Sequence, residues 1–193
     1  MRKIALIIGH NQRSQGAYST TLGNEYSYWK EIAYKMKELQ PETFDIYERL
    51  PNKYYVNEMK LVLQELNKHN YDFCLELHFN SFDDKANGCE CLCYYKNDKA
   101  QKIITQLLAR LQMEYGLRIR SRRGIIQGKE VVTHGIILIE NSKTRGGYGI
   151  CNSKDTYILI EPFFASNPSE AIKFKDMEEF SKFLVKFVNE VDI

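Results

Sequence analysis

Two apolar runs of this chain end on a histidine, and a third ends on a glutamate. "IALIIGH" stops at Gly9-His10, "YDFCLELH" stops at His78, and "TYILIEP" stops at Glu161, where a proline ends any strand at once. In open α/β sheets, ligand sites gather at the carboxyl ends of the strands. If these runs are neighbouring strands pointing the same way, three proton-active side chains converge. A catalytic zinc takes three protein ligands from His, Glu, Asp or Cys and keeps one position open for water. Two histidines supply two of them, so a carboxylate must supply the third. Glu25 follows Gly23-Asn24 at the start of a helical pattern, where a first-turn side chain can reach back toward the strand ends. The helix dipole also favours an acid there without any metal. By spacing alone, this set supports metal-assisted amide hydrolysis and nothing narrower.

The elements that must position these residues alternate along the chain. Strand patterns cover residues 3–9, 43–48, 72–79, 88–95, about 131–139 and 156–161. Helical patterns lie between them. Tyr28, Ile32, Met36 and Leu39 mark a helix over 24–39 that Pro41 ends. Met59, Val62, Leu63 and Leu66 mark another over 54–69. Ile103, Ile104, Leu107, Leu108 and Leu111 mark a third over 98–115, with Gly116 as its carboxyl-terminal cap. A last helix is predicted from Ser169 to Val191, its stripe carried by Ile172, Phe180, Phe183, Leu184, Phe187 and Val188. The alternation predicts an α/β fold, a single-domain, twisted, mostly parallel central sheet of about six strands with helices on both faces. No repeat or linker divides residues 1–193, so one catalytic domain is expected.

Composition removes some alternatives. A formal charge of +2, with acids and bases interspersed, is too weak to imply a nucleic-acid partner. No stretch approaches the roughly 20 apolar residues of a membrane span, so no membrane insertion is expected. Met1-Arg2-Lys3 and the short apolar run after it are too brief for a secretory signal and read as a first strand. The five cysteines form no disulfide framework. Cys89, Cys91 and Cys93 alternate, which fits one buried strand face better than a metal site. Seven of the 11 glycines fall in residues 116–155 together with Arg118, Arg120, Arg122, Arg123 and Arg145. This region reads as loop-rich and lying over one rim of the sheet, its arginines mostly solvated, with a carboxylate-binding role open to one or two. His69 and His134 remain over, His134 being the main rival for a ligand role.

Four motifs carry a resemblance. "GHNQRSQGA", "GNEYSYWKEIAYKMKEL", "FCLELHFNSF" with "NGCECLCYY", and "YILIEPFFASNPSEA" resemble, in order, the motifs of the zinc-dependent N-acetylmuramoyl-L-alanine amidases, the Amidase_3 group of bacterial cell-wall enzymes and phage endolysins. Together with the strand that leads into the first, they span residues 4–171. The resemblance implies His10, Glu25 and His78 as ligands of one zinc ion and Glu161 as general acid/base. A zinc-activated water would then attack the amide between N-acetylmuramic acid and the L-alanine of the peptidoglycan stem peptide. Asn80 and Arg123 become candidate substrate contacts. The chain departs from the family pattern at Ile7-Ile8, where Asp-Pro is common, at Asn11, where a second glycine is usual, and at Glu76, where a small residue is usual. Glu76 shares a strand face with His78, so it could orient that imidazole, compete for the metal or pair with a loop arginine.

Other readings are a zinc exopeptidase of the carboxypeptidase or aminopeptidase type, and a non-catalytic module binding cell wall or nucleic acid. With no signal peptide visible, a phage endolysin held in the host cytoplasm until release is expected. The alternative is export by a signal that this chain lacks.

Overall fold

A computed structural model describes residues 2–193. In chain order the elements are β1 (Ile4–Ile8), β2 (Tyr18–Ser19), β3 (Gly23–Asn24), α1 (Glu25–Leu39), β4 (Phe44–Glu48), α2 (Tyr55–Leu66), β5 (Phe73–Leu77), β6 (Glu90–Tyr94) and α3 (Asp98–Tyr115). They continue with β7 (Ser121–Ile126), β8 (Lys129–His134), β9 (Ile136–Ile139), α4 (Gly147–Asn152), β10 (Tyr157–Glu161), α5 (Pro168–Ala171), a 3-10 turn (Ile172–Phe174) and α6 (Met177–Glu190). Six strands form the central sheet in the order β4-β1-β5-β10-β6-β9. Every pairing in it is parallel except β10 with β6. The expected α/β architecture, with a six-stranded and mostly parallel sheet, is what the chain forms.

Alternate residues of each central strand feed two cores. Ile4, Leu6, Ile8, Phe73, Leu75, Leu77, Ile158 and Ile160 meet α1, α3 and α6 on one face. Ala5, Ile7, Cys74, Tyr157 and Leu159 meet α2 and α4 on the other. Burial on both faces is why these strands read as continuous apolar runs rather than as alternating ones. Cys89, Cys91 and Cys93 lie in the first core with no exposed surface. Burial pushes the Cys89 and Cys93 thiols up to about 12, so they are inert packing groups.

The structure corrects four details. The single strand expected over 131–139 is two, because Gly135 turns the chain at φ 70°. A Cβ there would lie 2.3 Å from Leu108 Cδ1, so only glycine lets the chain bend so close to α3. β8 therefore pairs with β7 in a separate hairpin, and β9 alone joins the sheet edge. Residues 116–155 thus hold a hairpin and the short helix α4 rather than mostly loop. The long terminal helix is broken before Asp176, whose side chain accepts the Glu179 N–H at 3.1 Å and starts α6 afresh. Leu39 and Ile172, both assigned to buried stripes, are exposed at the ends of their elements.

Candidate metal centre

β1, β5 and β10 are adjacent and parallel, so their carboxyl ends open on one side of the sheet. His10 lies two residues beyond β1, His78 follows β5 directly, and Glu161 is the last residue of β10. Glu25 arrives from the other direction, at the first position of α1. No side chain caps this helix; its first N–H groups are taken by the strap before it, Glu25 N–H donating to the Ala17 carbonyl at 3.0 Å and Tyr26 N–H to Gln15 at 3.1 Å. The strap and the helix start are locked together by the two-residue ladder of β2 and β3.

His10, Glu25 and His78 each present one donor atom, all within 4.8 Å of one another. Glu25 bridges the imidazoles. Its Oε2 is 3.3 Å from His10 Nε2 and its Oε1 is 2.9 Å from His78 Nδ1. The same oxygens accept the main-chain N–H groups of Ala17 at 3.0 Å and Phe79 at 3.1 Å. His10 donates Nδ1–H to the Ser14 carbonyl at 3.2 Å, which turns Nε2 toward Glu25. On the far side of His78, Nε2 meets Glu76 Oε1 at 3.1 Å. Burial alone would raise the Glu25 carboxyl, but the hydrogen bonds and charges of both imidazoles hold it well below the usual carboxylate range. Burial likewise disfavours a charged His78, yet Glu25 and Glu76 outweigh it and raise the group to about 10.

Two glycines make room for this packing. A Cβ on Gly9 would fall 2.1 Å from His78 Nε2, in steric overlap with the ring. One on Gly16, where φ is +77°, would fall 2.5 Å from Glu25 Oε2 and 2.7 Å from the His10 ring. That is why the first strand gives way to glycine and histidine instead of ordinary turn residues.

A buried ionic brace, not anticipated from the sequence, holds the His10 loop. Glu58 in the first turn of α2 accepts Asn11 Nδ2 at 2.9 Å, Arg13 at 2.8 Å, Arg49 at 2.9 Å and the Asn52 N–H at 2.9 Å. Arg49 also donates to the Gly9 carbonyl. Asn11 Oδ1 in turn accepts the N–H groups of Arg13 and Ser14, which shapes the turn that presents the Ser14 carbonyl to His10. The departure from glycine at position 11 thus has a structural role.

Glu161 stands outside the trio but lines the same cleft, a cavity of about 990 Å³ that also includes Asn80, Glu90, Arg122 and Arg145. Asn80 Nδ2 donates to Glu161 Oε2 at 3.1 Å and to Glu90. Glu90 is fully buried opposite Glu161 on the antiparallel neighbour β6, paired with Arg120 at 3.1 Å and in two-pronged contact with Arg122. Burial raises the Glu161 carboxyl above its ordinary value, His78 and Arg145 opposing the rise and the Glu90 charge adding to it.

Other predicted residues fall elsewhere. Arg123 is exposed on β7 and is not part of the cleft wall, whereas its neighbour Arg122 is. His134 ends β8 in an exposed position, and His69 is exposed beyond α2; neither joins the donor group. Periodicity could not separate Arg122 from Arg123, because only the docking of the hairpin decides which of the two faces the cleft. No helix among the described residues is long and apolar enough to cross a membrane.

Residues 4–190 match the family model described as N-acetylmuramoyl-L-alanine amidase. The fold is similar to the catalytic domain of the CD27L endolysin targeting Clostridia difficile, with 23% identity, 100% of this chain and 99% of that one covered, and a TM-score of 0.73. It is also similar to the catalytic domain of CwlV, an N-acetylmuramoyl-L-alanine amidase from Bacillus (Paenibacillus) polymyxa var. colistinus, at 14% identity, full coverage of both chains and a TM-score of 0.67. The amidase AmiC2 of Nostoc punctiforme matches at 13% identity, 98% and 96% coverage and a TM-score of 0.67. No curated protein matches the chain in sequence.

Proposed function

The chain belongs to the N-acetylmuramoyl-L-alanine amidase family and is a peptidoglycan amidase, and from that premise we propose a zinc-dependent hydrolysis of the bond between N-acetylmuramic acid and L-alanine. His10, Glu25 and His78 would hold one zinc ion, Glu161 would move the proton, and residues 1–193 would act as one catalytic domain. The observation that carries this reading is the convergence of two imidazole nitrogens and a carboxylate oxygen within 4.8 Å in the wall of the cleft. The donor set fits zinc in kind and number. Each donor's remaining polar atom is already engaged, by Ser14, by Glu76 or by main-chain N–H groups, as ligands to a metal require.

Zinc bound there would supply Lewis acidity, polarising the scissile carbonyl and lowering the pKa of water toward about 7. Glu161 takes a proton from the attacking water and returns it to the departing nitrogen, which leaves as an amine because an amide anion is too basic to expel. Its buried setting raises its pKa, which suits a carboxyl that must both accept and give up a proton. Asn80 holds one Glu161 oxygen and leaves the other free for the proton. Arg123 would touch only a part of the polymer that extends over the hairpin. The partner is peptidoglycan, with neither nucleic acid nor an inserted membrane segment involved. An endolysin working this way would be made in a host cytoplasm and act once released to the wall.

Elemental analysis of the purified protein, combined with dye release from purified peptidoglycan, tests the reading. We expect about one zinc per chain and a Glu161→Ala variant that keeps the zinc and loses the activity. The product should be an intact stem peptide with a new L-alanine amino terminus; release of single terminal amino acids would indicate an exopeptidase instead. A metal-free protein whose activity survives Glu161→Ala would end the proposal.

A further inference from the structure

Glu76 is a buried carboxylate at the cleft that neither the ligand set nor the proton transfer uses, and unlike Glu90 it is paired with no arginine among the described residues. It sits on the central strand β5 between Ile7 and Leu159 of the flanking strands, with 1% of its surface exposed. A carboxylate in such a place is costly unless it is fully partnered. Among the described residues its ion-pair partner is His78, not an arginine. Its Oε1 lies 3.1 Å from His78 Nε2, and its Oε2 accepts the Tyr157 hydroxyl at 3.0 Å. The His78 ring is pressed from the other side against Gly9, where even a methyl group would overlap it. The ring therefore has one seat, with a carboxylate at each nitrogen: Glu25 at Nδ1 and Glu76 at Nε2.

We infer that Glu76 is a positioning residue for His78, its carboxylate accepting the Nε2–H so that the Nδ1 lone pair is the one offered beside Glu25 and His10. An imidazole bound to a metal keeps a single N–H, and a second partner decides which nitrogen bears it. Tyr157 completes the relay by fixing the Glu76 carboxylate from behind. The order is Tyr157 to Glu76 to His78, running from the core outward to the cleft. This inference rests on the zinc reading above.

Zinc affinity, measured by competition with a chromophoric chelator, separates the two claims, with the melting temperatures of the metal-free and zinc-loaded proteins as a second readout. Native protein should bind zinc and gain stability from it. Glu76→Ala should weaken binding by about 10–100-fold, and Glu76→Gln, which keeps the volume and one acceptor oxygen, by less. Tyr157→Phe should give a loss of a few fold in the same direction and stands in if the Glu76 variants fail to fold. In Glu76→Gln the metal-free melting temperature should hold while the zinc-dependent increment shrinks. Cobalt-substituted Glu76 variants should show a changed visible spectrum. Native-like affinity in every variant, within about twofold, would overturn the inference and leave the zinc reading standing. Equal falls in metal-free and zinc-loaded melting temperature with unchanged affinity would assign Glu76 a structural role and overturn it as well. A native protein that binds no zinc would overturn the zinc reading itself, and this inference with it.

Discussion

The trio of His10, Glu25 and His78 and the corner around Glu161 face the same cleft but are held in different ways. The trio is held from close by. Main-chain groups of Ser14, Ala17 and Phe79 fix its polar atoms, two glycines give it space, and Glu58 braces the loop before it. The Glu161 corner is held by side chains from far along the chain: Asn80, then Glu90, then Arg120 and Arg122, the last of them from a hairpin paired to itself rather than to the central sheet. A metal site needs fixed donors, since a ligand misplaced by even 1 Å is lost. A proton carrier must swap partners in each cycle. On the proposed roles, the would-be ligands are fixed largely by main-chain groups, while the surroundings of Glu161 are set by side chains.

Several variants would break or sharpen that contrast, and the largest effect belongs to Glu161, the proposed proton carrier. Glu161→Ala should lower turnover by about 10²–10⁴-fold while metal content stays native, because general acid–base catalysis supplies about that factor. Next is the brace. Glu58→Ala leaves buried Arg49 unpaired and should cost about 3–5 kcal/mol at neutral pH by denaturant unfolding.

The brace also predicts a pH dependence. Burial opposes the Glu58 charge, but the Asn52 N–H, Arg49 and Asn11 more than compensate and lower its pKa below the ordinary 4.5. A lowered folded-state value means that the stabilisation is complete above about pH 4.5 and fades as pH falls through the folded-state value. Glu58→Gln should therefore flatten the loss of melting temperature below pH 4.5; an unchanged acid slope would place that sensitivity elsewhere.

Gly9→Ala should be smaller but still costly, about 1–3 kcal/mol from overpacking against His78, with weaker zinc binding as its signature. Glu90→Gln should act on the other corner without touching the ligands. Removing a negative neighbour lowers the raised Glu161 pKa, so the acidic limb of the kcat/KM profile should move to lower pH with zinc affinity unaltered. A shift in zinc affinity instead would mean that the two regions are not separately held. Smallest of all, Arg123→Ala should change KM by less than about twofold and stability by less than about 0.5 kcal/mol, since the residue is exposed and off the cleft wall.

Legibility in the sequence followed how local each feature is. β1, β5 and β10 were readable as 3–9, 72–79 and 156–161, within two residues of Ile4–Ile8, Phe73–Leu77 and Tyr157–Glu161, because strands buried on both faces are apolar along most of their length. α1, α2 and α3 were readable from their 3.6-residue stripes. The break at Gly135 was not, since "VVTHGIILI" has the composition of one strand and the turn depends on how closely the chain passes Leu108. The Glu58 brace was hidden for a similar reason: an acid in a first helical turn is ordinary until Asn11, Arg13 and Arg49 are seen to meet it.

By itself, then, the sequence determined the alternation of elements, the polar residues ending three apolar strands, and the family to which the motifs belong, all of which depend on neighbours a few residues apart. Tertiary structure alone decided that β1, β5 and β10 lie side by side, that Glu25 sits between two imidazoles, that Glu76 backs His78, and that Arg122 rather than Arg123 lines the cleft. Those facts depend on strand order, on helix entry and on which hairpin face docks. Packing of the whole chain sets such relations, and no short stretch of residues carries enough information to fix them.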